Sequence, residues 1–206
     1  MNTLAPYSVI AGLLAFAGGV AAQVVPDSGI PLSRAEEQDS TSQRWHSIPA
    51  GATWKLTRMG RSPLYVEAPY SFSQRKNPQQ PGSPSVRQSV PYILNYPAAD
   101  IYCGVVVVKY AAGTAFSLDG ATRNAIKQST ARLTSLDALT VRDTLVVGVP
   151  AKRCLLTGRA GATWLAYDGL IFYKRKRAYF VLAVYNPASP VYAAVVARML
   201  HSLHWR

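Results

Sequence analysis

The sequence predicts an α+β fold: an antiparallel β-sheet with two packed helices, preceded by an apolar N-terminal leader or a single transmembrane helix. Three observations carry that expectation. Runs rich in Val, Tyr and Thr recur between residues 52 and 185, separated by turn residues. One mid-chain segment and one C-terminal segment carry apolar residues at helical spacing. The 206 residues, 49% of them hydrophobic, suffice for one domain with a real core.

The leader comes first. Residues 8–25 read SVIAGLLAFAGGVAAQVV, and no charged side chain precedes Asp27. Residues 9–17 suit the apolar region of a signal peptide, and Val20-Ala21-Ala22 before Gln23 suits a cleavage site, although no Lys or Arg precedes the run. Residues 6–25 are also long enough to span a bilayer as a small-residue helix. Cleavage implies export to a periplasmic, lumenal or secreted location; retention implies anchoring by one N-terminal helix. Residues 26–50, rich in Pro, Ser, Gln and charge, read as a polar linker.

The domain then occupies residues 51–206. Residues 52–56 and 63–66 suit short strands joined around Gly60. Residues 73–91, with Pro78, Pro81, Pro84 and Pro91 among polar residues, predict a mobile loop. Residues 92–94 begin another strand. Residues 101–110 contain Val105 to Val108 in succession, as expected of a central strand covered on both faces. Ser117 or Asp119 caps a helix whose stripe is Leu118, Thr122, Ala125, Ile126, Ser129 and Leu133. Strands follow at 140–149 and 151–157, with a turn at 158–161. Residues 162–173 and 178–185 form a hairpin tipped by Lys174, Arg175, Lys176 and Arg177. Ser189 and Pro190 open a last helix with stripe Tyr192, Val195, Val196, Met199, Leu200 and Leu203.

Charge narrows the partners. Twenty-two Lys and Arg face ten Asp and Glu, a formal net charge of +12. Residues 1–50 hold Arg34 and Arg44 against Asp27, Glu36, Glu37 and Asp39, so the positive excess belongs to the domain. Such a surface attracts an acidic protein, a membrane complex or an anionic lipid surface. Nucleic acid is disfavoured, because an exported or anchored domain rarely meets it and no aromatic RNA-binding motif is present. The tetrabasic tip is the sharpest local feature: either a docking site or a solvated turn that discourages edge pairing.

Catalytic signatures are absent from the sequence. Cys103 and Cys154 lie in expected strands and suit either a disulfide, in an oxidising compartment, or two buried thiols. His201 and His204, three apart on the last helix, lack the Cys or carboxylate that would complete a metal set. Asp100, Asp119 and Asp168 sit beside expected turns or caps, where Asp is ordinary. No phosphate-binding loop, nucleophile elbow or cofactor motif appears.

Several segments together resemble the PsbP/Mog1-like fold, over roughly residues 53–205. They are Ala68-Pro69-Tyr70-Ser71-Phe72, the Val-rich strand leading into a helix, and Val149-Pro150-Ala151 entering a strand that runs to Thr157-Gly158. Arg177 to Leu182, Asn186-Pro187 and the closing Met199-Leu200-His201-Ser202-Leu203 complete the set. The resemblance implies a small binding or assembly protein and supplies no ligand-binding residue. The long Pro-rich loop and the strongly basic surface depart from the pattern. The expected role is a non-enzymatic accessory or assembly protein acting at or across a membrane. The alternatives are a single-span subunit of a larger membrane complex and, more remotely, an enzyme of unrecognised type.

Overall fold

The computed structural model describes residues 53–75, 85–96 and 101–206, and within these described residues ten strands and two helices succeed one another. The expected leader and linker lie outside the described residues. Among the described residues no helix is long and apolar enough to cross a membrane.

The described residues begin with β1 (Lys55–Arg58), β2 (Leu64–Ala68), β3 (Phe72–Gln74), β4 (Val86–Leu94) and β5 (Ile101–Tyr110). Helix α1 (Leu118–Thr130) follows, then β6 (Ser135–Val146), β7 (Val149–Ala160), β8 (Thr163–Lys174) and β9 (Arg177–Tyr185). Helix α2 (Pro190–His201) and β10 (His204–Trp205) end the chain. The large sheet has seven strands in the order β3-β4-β5-β9-β8-β7-β6, and the small one has three, β1-β2-β10. Every pairing is antiparallel.

The side-chain alternation of the large sheet divides the core in two. Cys103, Val105, Val107, Leu170, Phe172, Tyr179 and Val181 face α2 and the small sheet. Tyr102, Val106, Val108, Tyr167, Ile171 and Phe180 belong to the opposite cluster, with Ala121 of α1. The Val-rich strand is therefore central and covered on both faces, as its composition predicts; in β5 only Lys109 is exposed.

Both helix caps hold. Ser117 Oγ accepts a hydrogen bond from the Gly120 N–H at 3.0 Å. Ser189 Oγ accepts from the Tyr192 N–H at 3.4 Å, with Pro190 in the first turn. Each satisfies a donor the helix itself leaves unpaired. The expected stripe Tyr192, Val195, Val196, Met199 and Leu200 is buried.

Four expectations need correction. Strands replace both ends of the predicted loop at 73–91, where β3 runs to Gln74 and β4 begins at Val86. Pro91 is tolerated inside β4 because its carbonyl accepts from the Arg75 N–H at 3.0 Å, just past the last β3 pair, Gln74 with Tyr92. A strand residue's N–H and carbonyl point the same way, so the donor that Pro91 lacks falls where β3 pairing runs out. Gly158 is not in a turn; it lies in β7, and the turn falls at Gly161 (φ 62°). A Cβ at Gly158 would meet the Ser135 carbonyl oxygen and come within 2.7 Å of Leu133, so close approach explains that glycine. His204 is not on the last helix, which ends at His201. It lies in β10, stacked on Tyr65 of β2 at 5.5 Å. Asp168 is not beside a turn but mid-strand in β8, and buried.

Ser189 is fully buried, so its hydroxyl has no water to turn to. Ser189→Ala is expected to destabilise the domain by about 1–2 kcal/mol, read as a lower urea midpoint. An unchanged midpoint would show that the cap contributes nothing.

Candidate functional site

The most charged local feature of the sequence becomes a defined turn. Lys174 and Arg177 are the last cross-strand pair of β8 and β9. Arg175 (φ 51°) and Lys176 (φ 61°) alone make the connection. A two-residue hairpin turn of type I′ needs positive φ at both central positions, and Asn or Gly usually supplies it. Two long cationic side chains hold it here. The Lys176 carbonyl accepts from the Tyr110 N–H at 3.3 Å, which ties the tip to the end of β5.

Tertiary structure enlarges the feature. Arg177 pairs with Lys109 of β5 as well as with Lys174 of β8. Directly opposed residues share a face, so Lys109, Arg177 and Lys174 form a row across three adjacent strands, spanning roughly 10 Å. Like charges so placed repel. No ion pair among the described residues involves these three or Arg175 and Lys176. The Lys174 ammonium lies 4.5 Å from the centre of the Trp205 ring, a contact that positions the charge without cancelling it. Lys109 was not singled out by the sequence. Its signal was there, a lone cation closing a continuous apolar run, but only strand order brings it to Arg177.

A second cluster lies on the α2-facing side. Arg153 of β7 grips Asp168 of β8 in a fork, Nε to Oδ1 at 3.0 Å and Nη2 to Oδ2 at 2.7 Å. The carboxylate is almost wholly buried while the guanidinium side chain is about a third exposed. Burial raises the Tyr185 hydroxyl above its ordinary pKa, and the nearby Asp168 charge adds to the shift. The fork occupies both carboxylate oxygens, so the cluster is built as a structural pair.

The cysteines stand apart. Cys103 lies on β5 and Cys154 on β7, with β9 and β8 between them. Three strand spacings put their backbones roughly 14 Å apart, whereas a disulfide needs Cα atoms within about 7 Å. Their side chains also belong to opposite core faces. Both thiols are free, so the expected bridge is corrected. Burial pushes Cys103 up to about 12 and Cys154 up to about 11, with the Asp168 charge as a further cause for each. Thiols so raised are overwhelmingly neutral at pH 8 and poor nucleophiles.

Between α1 and the sheet lies an apolar cavity lined by Val106, Ile126, Leu139, Leu156, Ile171 and Phe180, among others. Its volume of about 50 Å³ is well below the roughly 150 Å³ that admits a benzene-sized guest. His201 Nδ1 lies 2.7 Å from the Ala197 carbonyl and His204 Nδ1 lies 2.9 Å from the Ser202 carbonyl. Among the described residues no group of three His, Cys, Asp or Glu side chains is placed to hold a metal ion.

Comparison with known proteins follows from this architecture. No family model matches the chain, and no curated protein matches it by sequence. The solution structure of cyanobacterial PsbP (CyanoP) from Synechocystis sp. PCC 6803 superposes with a TM-score of 0.52. The match covers 75% of this chain and 94% of that one at 11% identity. The chain has a PsbP-like fold. A Pseudomonas aeruginosa protein of unknown function, PA94, also matches, over 74% of this chain and 97% of that one, at 12% identity and a TM-score of 0.44. At 11% identity the likeness shows the fold alone and transfers no site residue.

Two outcomes test the interior. Arg153→Met leaves the buried Asp168 charge unpaired and is expected to cost about 3 kcal/mol, while the double variant Arg153→Met/Asp168→Leu recovers much of it. Equal losses in both variants, by urea denaturation, would show that packing rather than the charge pair matters. The unfolded, unreduced protein is expected to take up two alkyl groups by intact mass, and the folded protein at pH 8 to react only slowly. Uptake of no alkyl groups before reduction would establish a disulfide.

Proposed function

We propose that this chain is a non-enzymatic accessory or assembly protein that works at a membrane and docks on an acidic surface through the basic end of its large sheet. The observation that carries the reading is the cluster of Lys109, Lys174, Arg175, Lys176 and Arg177, held at one end of the sheet without a carboxylate partner among the described residues. Holding like charges side by side costs stability, and an anionic partner removes that cost. Two further features support it. The turn itself places two non-glycine residues at positive φ, a strained backbone of the kind that clusters at functional sites. The apolar segment at residues 6–25 would bring the domain to a membrane, whether it directs export or stays as an anchor.

The fold supports an accessory role by likeness: CyanoP is a PsbP protein, and its structure superposes on 75% of this chain. The partner's chemistry follows from the patch. A point charge such as Lys and a planar fork such as Arg both suit carboxylates and phosphates.

Changing Lys174, Arg175, Lys176 and Arg177 together to Gln tests the reading. Release from the native membrane or complex fraction is measured as salt rises. The wild-type chain is expected to dissociate progressively with salt, and the variant to bind at least tenfold more weakly at physiological ionic strength. Binding that survives both the substitutions and high salt would overturn electrostatic docking.

A further inference from the structure

The end of the sheet that carries the basic turn carries a second turn of opposite character. Val146 and Val149 close the β6–β7 hairpin, and Val147 (φ 50°) and Gly148 (φ 75°) form its tip. Continuing the β7–β8 register from the Ala151–Phe172 pair brings Val149 beside Lys174, so the two tips sit at the same level. Two strand spacings separate them, roughly 10 Å. Leu145 is 68% exposed and Val147 49%, the two most exposed of the large apolar residues described. A β-branched residue at positive φ is strained, and water gives an apolar side chain no return for that strain. The carboxylates nearest along this hairpin are occupied: Lys152 holds Asp143 at 2.8 Å and Asp119 at 3.0 Å. That triad leaves one negative charge against the five cations of the patch.

Resting on the basic-end reading above, we infer that the acidic surface is an anionic lipid bilayer, and that the β6–β7 tip enters it. The two tips match the layered chemistry of a bilayer interface. Cations on the β8–β9 tip meet headgroup phosphates, and Leu145 and Val147 on the neighbouring tip reach the acyl boundary. An exposed pair of apolar side chains suits a fluid apolar phase, whereas a folded protein partner would have to offer a shaped pocket. Several cations together with inserted apolar area supply the two signals that stable but reversible membrane binding requires.

The experiment uses the full chain and vesicles of phosphatidylcholine with and without phosphatidylserine, at physiological ionic strength, read by co-sedimentation. The apolar N-terminal segment is common to every variant, so differences between variants report on the two tips. Val147→Asn is the informative change: it makes an Asn-Gly turn, the sequence that favours this geometry, so the fold is retained or strengthened while the apolar tip is lost. The wild-type chain is expected to prefer the phosphatidylserine vesicles. Leu145→Ser/Val147→Asn is expected to bind them about tenfold more weakly with an undiminished melting temperature. Full binding by that variant would overturn insertion while leaving the basic-end reading intact. A wild-type chain that does not distinguish the two vesicles, yet binds native membranes and loses them on protease treatment, would overturn the lipid assignment in favour of an acidic protein. Undiminished binding of the four-Gln variant to both phosphatidylserine vesicles and native membranes would overturn the basic-end reading itself.

Discussion

The structure depends on a ladder of three strands, β5, β9 and β8, that is apolar on both faces. Val105 pairs with Val181, and Val181 with Leu170; one register on, Val106 pairs with Phe180, and Phe180 with Ile171. A sheet so composed must be covered twice. Helix α1 covers one side. Helix α2, with the small β1-β2-β10 sheet, covers the other. Tyr192, Val195, Val196 and Met199 of α2 are buried between the two sheets, and Leu64 and Val66 of β2 close the same core. The C-terminal residues complete it, because β10 pairs with β2 and Trp205 packs edge-on against Phe172 and Tyr179.

This arrangement sorts polar from charged positions. The buried Asp168 accepts the fork of Arg153, and nearer the surface the partly exposed Glu67 meets Arg198 at 3.2 Å where β2 passes α2. The Arg198 guanidinium also lies over Trp54, 3.9 Å from its ring centre, so the outer surface of α2 is fastened by an ion pair and a cation–π contact together. Five cations without ion partners among the described residues, Lys109 and Lys174 to Arg177, gather where β5, β8 and β9 meet at one end of the sheet. The ends of a sheet cannot be covered by helices that lie on its faces, so turns there are free to carry groups the core would reject. Both hairpin tips at that end use positive φ at both central residues, one with cations and one with Val147.

Much of this was legible in the chain. Four successive Val predicted a central strand because a strand exposes alternate residues to alternate faces, and both needed apolar cover. Ser117 and Ser189-Pro190 predicted helix starts because capping is local chemistry. The tetrabasic tip predicted a hairpin turn, and its position between two β-rich runs was enough. Pro91 misled, because proline in a strand is acceptable only where a neighbour stops, and that neighbour is β3, which lies in a different part of the chain. Gly158 misled for a related reason: its glycine answers the Ser135 carbonyl and Leu133, not a turn.

The sequence by itself determined the local geometry of this protein: which segments extend, which coil, where they are capped, and how much positive charge the domain bears. Those properties follow from periodicity, φ preference and side-chain chemistry within a few residues. Tertiary structure alone decided strand order, and strand order decided the rest. It set Cys103 and Cys154 three strand spacings apart on opposite core faces, drew Arg153 onto Asp168, and placed Lys109 beside Arg177. It also brought the exposed Leu145 and Val147 to the same end as the basic turn. Each of these relations joins or separates residues 15 to about 70 positions apart, and only the pairing of strands, fixed by the burial of both sheet faces, specifies which distant residues become neighbours.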